Sequence, residues 1–182
     1  METSTNNQVK ENETQTQAAD IQIDEGKLER YMESLKLEQN LLFGSFTGII
    51  AAIAGASLWA IITLATNFQI GWMAVGVGFL VGYGIRIAGK GIDKIFGILG
   101  ASLSLFGCLL GNFLTVVGFI SKEESLGFFE TLVRIDYSLV PSLMLQTGSL
   151  IDLLFYGIAV YEGYRFSFRR ITENDILMNA AK

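Results

Sequence analysis

The chain has 182 residues, 51% of them hydrophobic and only 17% charged, with 20 glycines, one proline, one cysteine and no histidine. Without histidine, Ser-His and Cys-His catalysis, histidine proton relays and histidine-ligated haem are excluded, and the lone Cys108 excludes an internal disulfide and a cysteine-based zinc site. The net charge of −5 is carried by residues 1–38, so the remainder is neutral and offers no basic stripe with interleaved aromatics for nucleic acid.

Residues 1–23 form an acidic tail rich in Asn, Gln, Thr and Glu, with little to bury, and are expected to be disordered. METSTNNQVKENETQTQAAD is polar where a cleavable signal is basic and then apolar, so no such signal is expected at Met1. Residues 24–39, DEGKLERYMESLKLEQ, set Leu28, Tyr31, Met32 and Leu35 on one face, with Asp24 and Glu25 suited to a helix start. They predict a short cytoplasmic amphipathic helix, either a solvated lead-in or a partner-binding element.

From Gln39 to Ile85 no residue is charged, a run of 47. One crossing of the hydrocarbon core takes about 20 apolar residues. The polar break TNFQ at 66–69 therefore divides the run into spans near 41–65 and 70–88. Within the second, Gly76, Gly78 and Gly82 spell GxGxxxG, close to a dinucleotide-binding loop. Such a loop needs a strand before it and a water-exposed turn, whereas these glycines sit inside an uncharged segment. They read better as packing surface, and no cofactor is expected.

Spacing supports that use. Gly44, Gly48, Ala52 and Ala56 recur every four residues in the first span; Ala74, Gly78 and Gly82 do so in the second. A second uncharged run, Ile95–Ser121, predicts a third span near 95–120, where Gly107 and Gly111 repeat the interval. Residues four apart share a helix face, and small side chains there let backbones approach closely.

Residues 122–147 follow. Phe128, Phe129, Leu132, Val133, Ile135, Leu139 and Val140 recur at helical spacing, with Glu130 and Arg134 four apart, until Pro141 interrupts. The pattern predicts an amphipathic helix lying on the outer membrane surface or within the bundle, or else an ordinary long loop carrying one helix. The fourth span, near 149–168, carries Asp152 and Glu162; residues 171–182 are a short tail.

Four crossings with both termini cytoplasmic put nine nearby Lys and Arg residues inside, against Lys122 and Arg134 outside. Trp72 and Phe68 then fall at the outer interface, and Tyr161 and Tyr164 near the inner one. The fold class is thus an all-α membrane protein: a four-helix transmembrane bundle over 40–170, preceded by a cytoplasmic helix.

Ionisable groups within a span are costly and therefore functional candidates. Asp152 stands third after Ser149 in a capping-box pattern, SLID, and serves either as a cap or as a polar site. Glu162 lies three residues from Arg165, and Arg86 ends the second span at a similar depth. An ion pair of Glu162 with Arg86 or Arg165 would lower the cost of both charges, as would snorkelling to the headgroups. Asn112, one turn from Cys108, can hydrogen-bond across helices in the third span. No catalytic or metal-binding set emerges.

GSFTGIIAAIAGASLWAIITLATNFQIGWMAVGVGFLVGYGIRIAGKG, LGASLSLFGCLLGN and IDLLFYGIAVYEGYRFSFR together resemble a family of small bacterial four-span membrane proteins. Some members look as though they carry a cytoplasmic zinc-binding module before the spans, for which this chain lacks the cysteines. The resemblance implies a bacterial inner-membrane location and offers no catalytic residues. The functional expectation is a non-enzymatic scaffold or modulator of a membrane complex, as a complex subunit or homo-oligomer. The alternative is a small oligomeric transporter or channel.

Overall fold

The computed structural model describes residues 24–68, 71–147 and 150–180, and every regular element among them is an α-helix. The predicted disorder of residues 1–23 lies outside the described residues. The described residues fall into two compact units, 24–37 with 170–180, and those within 38–169.

In the first unit, α1 (Glu25–Leu37) packs against α8 (Glu173–Ala180). Asp24 starts α1 by accepting hydrogen bonds from the Gly26 and Lys27 amides at 3.0 and 3.3 Å. The tail expected over 171–182 contains a helix instead. Its start is a reciprocal cap: the Asp175 carboxylate accepts from the Thr172 amide at 2.9 Å, while the Thr172 carbonyl accepts from the amides of Asp175 and Ile176.

The second unit holds α2 (Leu41–Thr66), α3 (Trp72–Gly89), α4 (Lys94–Glu123), α5 (Phe128–Arg134), α6 (Val140–Thr147) and α7 (Leu150–Phe166). Three of these, α2, α3 and α4, are long and apolar enough to cross a membrane. α3 and α4 pack on each other and on both α2 and α7. α2 and α7 meet through the rings of Trp59 and Tyr156, 6.2 Å apart and nearly perpendicular.

Glycine contacts fix the directions of these helices. Gly107 and Gly111 of α4 lie against Ala52 and Ala56 of α2, so the two helices run the same way. Gly71, Gly78 and Gly82 of α3 meet Phe155, Ala159 and Gly163 of α7 in ascending order, so these two also run together. Gly97 and Gly100 meet Tyr164 and Gly163, and Gly44 and Gly48 meet Gly89 and Ile85, which makes each of these pairs antiparallel. The starts of α2 and α4 therefore share one end with the finishes of α3 and α7.

Backbones come very close. A methyl group at Gly78 would stand 2.7 Å from the Ala159 Cα, and one at Gly82 would stand 2.8 Å from the Phe166 Cβ. At Gly48 it would meet Leu103 and Ile85 at 2.7 and 2.8 Å. Ala52 and Ala56 are fully enclosed. Bulky apolar side chains point outward: Leu42, Phe43, Phe46, Ile50 and Ile61 on α2, Leu80 and Ile87 on α3, and Ile151, Leu153 and Leu154 on α7 are exposed. Large apolar residues cover the outside and small ones occupy the closest helix contacts, while Trp59, Val77, Val81, Ile85 and Phe96 fill the core between them.

The ends are closed by polar contacts. Asn40 caps α2 by accepting from the Phe43 amide at 3.1 Å. No basic residue lies in the last turn of α2; Lys122 of α4 supplies one, donating to the Leu64 carbonyl at 2.7 Å. Between α4 and α7 the expected single amphipathic helix is two. α5 stops at Arg134 because Ile135 turns extended (φ −60°, ψ 136°), and Asp136 then accepts from the Ser138 amide at 2.9 Å. Pro141 stands in the first turn of α6, where its missing N–H costs nothing, and so begins a helix rather than breaking one.

Gly78→Ala should destabilise the protein by about 1–3 kcal/mol, because the added methyl would overlap the α7 backbone. Gly76 has no heavy atom within 4 Å of such a methyl. Gly76→Ala should be neutral or stabilising by up to about 1 kcal/mol. Thermal unfolding of both variants in lipid nanodiscs checks the contrast.

Candidate functional site

Polar side chains line the interior on three helices. Trp59 and Thr63 come from α2; Ser104, Cys108, Asn112 and Thr115 from α4; Tyr156 and Glu162 from α7. On α4 the four positions fall at intervals of four, four and three, one continuous stripe. The stripe is buried because Gly100, Gly107 and Gly111 on the same helix bring its neighbours close.

Some of these groups are satisfied locally. The Thr115 hydroxyl donates to the Gly111 carbonyl at 2.8 Å, and the Cys108 thiol reaches the Ala74 carbonyl at 3.9 Å. Others are not. Trp59 Nε1, Thr63 Oγ1, Ser104 Oγ, Asn112 Oδ1, Tyr156 Oη and Glu162 Oε2 are shut from solvent and have no hydrogen-bond partner among the described residues. Leaving such an atom unpaired costs roughly 1–3 kcal/mol. Six of them along one interior call for a function or a bound molecule.

The candidates from sequence divide. Asn112 sits on the stripe, 4% exposed, with its amide beside the Tyr156 phenol. Glu162 is on the stripe side of α7, but the ion pair expected with Arg86 does not form, nor does one with Arg165. Because α3 and α7 run together with Gly82 level with Gly163, Arg86 lies one turn beyond Glu162, about 6 Å along the axis, with Phe166 against Gly82 between them. The Arg86 guanidinium instead lies over the Tyr83 ring, 5.9 Å from its centroid. Arg165 is exposed in the last turn of α7. Asp152 is in the first turn of that helix; the Ser149 half of its predicted cap lies outside the described residues. Among the described residues, no group of three His, Cys, Asp or Glu side chains could hold a metal ion.

A cavity of about 150 Å³ opens on the C-terminal half of α4. It is lined by the buried Asn112 and Thr115, by Val116, Phe119 and Ile120, by the exposed Glu123, and by Leu143 of α6.

At the other end of the helices lies a polar knot that sequence reasoning missed. Gln39 Oε1 accepts from the Ile92 and Asp93 amides at 2.9 and 3.1 Å, and its Nε2 donates to Asp93 Oδ2 at 2.9 Å. The Asn40 amide donates to the Gly89 carbonyl at 2.9 Å, and the Arg169 amide to that of Gly91 at 2.7 Å. Glu38 Oε2 takes the Arg169 guanidinium at 2.7 Å, with Lys90 Nζ at 3.9 Å. The hydrogen bond and charge of Arg169 hold the Glu38 carboxyl below the usual carboxylate range, and Lys90 adds to this. Beneath the knot, Phe96 is 2% exposed and fills the space left by Gly44, Gly89 and Gly91.

No protein-family model, curated protein or solved structure matches this chain.

Because Glu38 is held ionised by its partners in the folded state, its contribution to stability is full above the unfolded carboxylate range. It is lost as pH falls through the lower folded value. Glu38→Gln should therefore lower the unfolding temperature at pH 7, and the gap from wild type should close below about pH 4. Melting curves across pH 3–8 would show the convergence.

Proposed function

We propose that this protein crosses a bacterial inner membrane four times, with both termini cytoplasmic, and acts as a non-enzymatic scaffold or modulator of a membrane complex. The observation that carries the reading is the inverted distribution of size: small residues where helices meet, and Phe, Leu and Ile facing outward along α2, α3, α4 and α7.

α7 is the fourth crossing in this reading. Its 17 residues span about 25 Å, a little under the hydrocarbon thickness of about 30 Å. Asp152 and Arg165 near its two ends can reach the headgroups, which makes up the difference. Its outward Ile151, Leu153 and Leu154, and its inward Ala159 and Gly163, match the three longer helices. Arg86, Lys90, Lys94, Arg165 and Arg169 cluster at the end shared by the α2 start and the α3 finish, whereas Lys122 and Arg134 belong to the other. The excess of positive charge makes the first end cytoplasmic.

Close backbone contacts suit a rigid body that presents a fixed apolar outer surface to lipid and to neighbouring proteins. A small oligomeric transporter or channel is the second reading, favoured by the six unpartnered polar atoms within the helices.

Three experiments test these readings. Affinity purification from nanodiscs should recover a stoichiometric membrane partner or a homo-oligomer; recovery of a bare monomer counts against the scaffold. Reporter fusions after Lys182 and within 68–71 should report cytoplasm and exterior respectively. In reconstituted vesicles, ion or solute flux abolished by Glu162→Gln would favour the transporter instead.

A further inference from the structure

We infer that the seam between α3 and α7 ends, on its cytoplasmic side, in a binding site for an anionic phospholipid. Arg86 and Arg165 hold the phosphodiester, and an acyl chain lies along the aromatic outer flank of the seam. The inference rests on the membrane-crossing reading given above and adds a ligand to it.

Helix contacts set which side chains share this flank. Gly78 and Gly82 face α7, and Ile85 turns inward onto Gly48 of α2. Phe79, Tyr83 and Arg86 therefore fall on the opposite, outer side of the α3 contact, where Phe79 and Tyr83 are exposed. On α7, Ala159 and Phe166 meet α3, while Tyr164 and Ser167 meet Gly97 and Gly100 of α4. Successive residues are about 100° apart, so Arg165 stands beside Phe166 on the side away from Ser167, which is the same outer flank. Gly82 is level with Gly163, so Arg86 lies four residues past that level and Arg165 two. The two arginines thus differ by about 3 Å in height.

Neither arginine forms an ion pair among the described residues. Lys90 and Arg169, beyond them, share Glu38, at 3.9 and 2.7 Å. Glu162 lies about one turn deeper than Arg86 and pairs with neither guanidinium. A chain of rings holds Arg86 in place: its guanidinium lies over Tyr83, Tyr83 stacks on Phe79 at 5.7 Å, and Phe79 meets the α7 ring of Phe166 at 5.2 Å. Lying over a ring leaves the in-plane N–H donors free for an oxyanion.

Two unneutralised guanidiniums at one level suit a phosphodiester, whose oxygens accept in pairs. They disfavour a choline headgroup, which would bring a third cation to the same place. Basic sites between helices at the cytoplasmic interface are suited to anionic headgroups on general grounds.

The flank below the arginines selects a lipid over a free anion. Phe79 and Tyr83 continue toward Trp72, which meets Phe155 of α7 at 5.4 Å and is itself exposed. Arg86 and Trp72 are fourteen residues apart, about 21 Å along α3. One leaflet of hydrocarbon is about 15 Å deep, so the row can line an acyl chain over its whole length.

The test places the full chain in nanodiscs of phosphatidylglycerol and phosphatidylcholine in equal amounts, and counts by native mass spectrometry the lipids that stay bound on release. Phosphatidylglycerol should be retained about 25-fold over phosphatidylcholine, a factor of about five from each arginine. Arg86→Gln and Arg165→Gln should each lower the ratio about fivefold. Lys94→Gln, which removes the same charge from an exposed position at the same end, should leave it unchanged. Excess inorganic phosphate should not displace the lipid; displacement would overturn the lipid as occupant. Equal retention of the two lipids, or an equal loss on Lys94→Gln and Arg165→Gln, would overturn the site. Arg165 is exposed, so its variant decides the matter even where Arg86→Gln fails to fold. A chain that stays outside the discs would overturn the membrane reading and the site together, whereas one that inserts without preference overturns the site alone.

Discussion

Lipid cannot drive helices together by excluding apolar surface, because the acyl chain is as apolar as the leucine it would replace. What remains is contact, and contact strong enough to matter requires backbones to touch. The crossing of α3 and α7 at Gly78 and Ala159 shows what that demands: no side chain at one position and a single carbon at the other. The same economy recurs where Gly107 and Gly111 meet Ala52 and Ala56, and where Gly100 and Gly163 leave room for Ser104 and Ser167. Each contact yields dispersion energy in small increments, and only unbroken runs of them amount to a fold.

That constraint also shapes where polarity can go. Glycine and alanine contacts beside an apolar core of Trp59, Val77, Val81, Ile85 and Phe96 offer few side-chain partners, so each hydroxyl or amide placed there must find a carbonyl on its own helix or go without. Thr115 and Ser167 take the first course, bonding to the residues four before them. Asn112, Ser104 and Tyr156 take the second. Close packing and unpaired polar atoms are two results of the same choice of residues.

The long elements were legible because their signal is coarse. Charge-free runs and the TNFQ break predicted 41–65, 70–88 and 95–120, close to the observed Leu41–Thr66, Trp72–Gly89 and Lys94–Glu123. Four-residue spacing also picked out positions that lie against neighbouring helices, such as Gly48, Gly82 and Gly111. It missed Gly100 and Gly163, where a stripe of one helix meets a single glycine of another and no period exists to be read. The α8 helix was overlooked although Thr172 and Asp175 carry a capping-box spacing; a polar, charged stretch concealed it. The proposed Glu162–Arg86 pair failed because depth alone does not give register, which the glycine contacts set one turn differently. The knot of Glu38, Gln39 and Arg169 joins residues more than a hundred positions apart, and nothing local announces it.

The lysine that closes α2 reaches it from the far end of α4, 58 residues later in the chain. During synthesis α2 emerges before this partner exists, and water must serve the Leu64 carbonyl while α3 and α4 are made. Only when residue 122 has left the ribosome and its helix has docked does the Leu64 oxygen gain its permanent partner. The order of translation thus makes the third helix the one that seals the first.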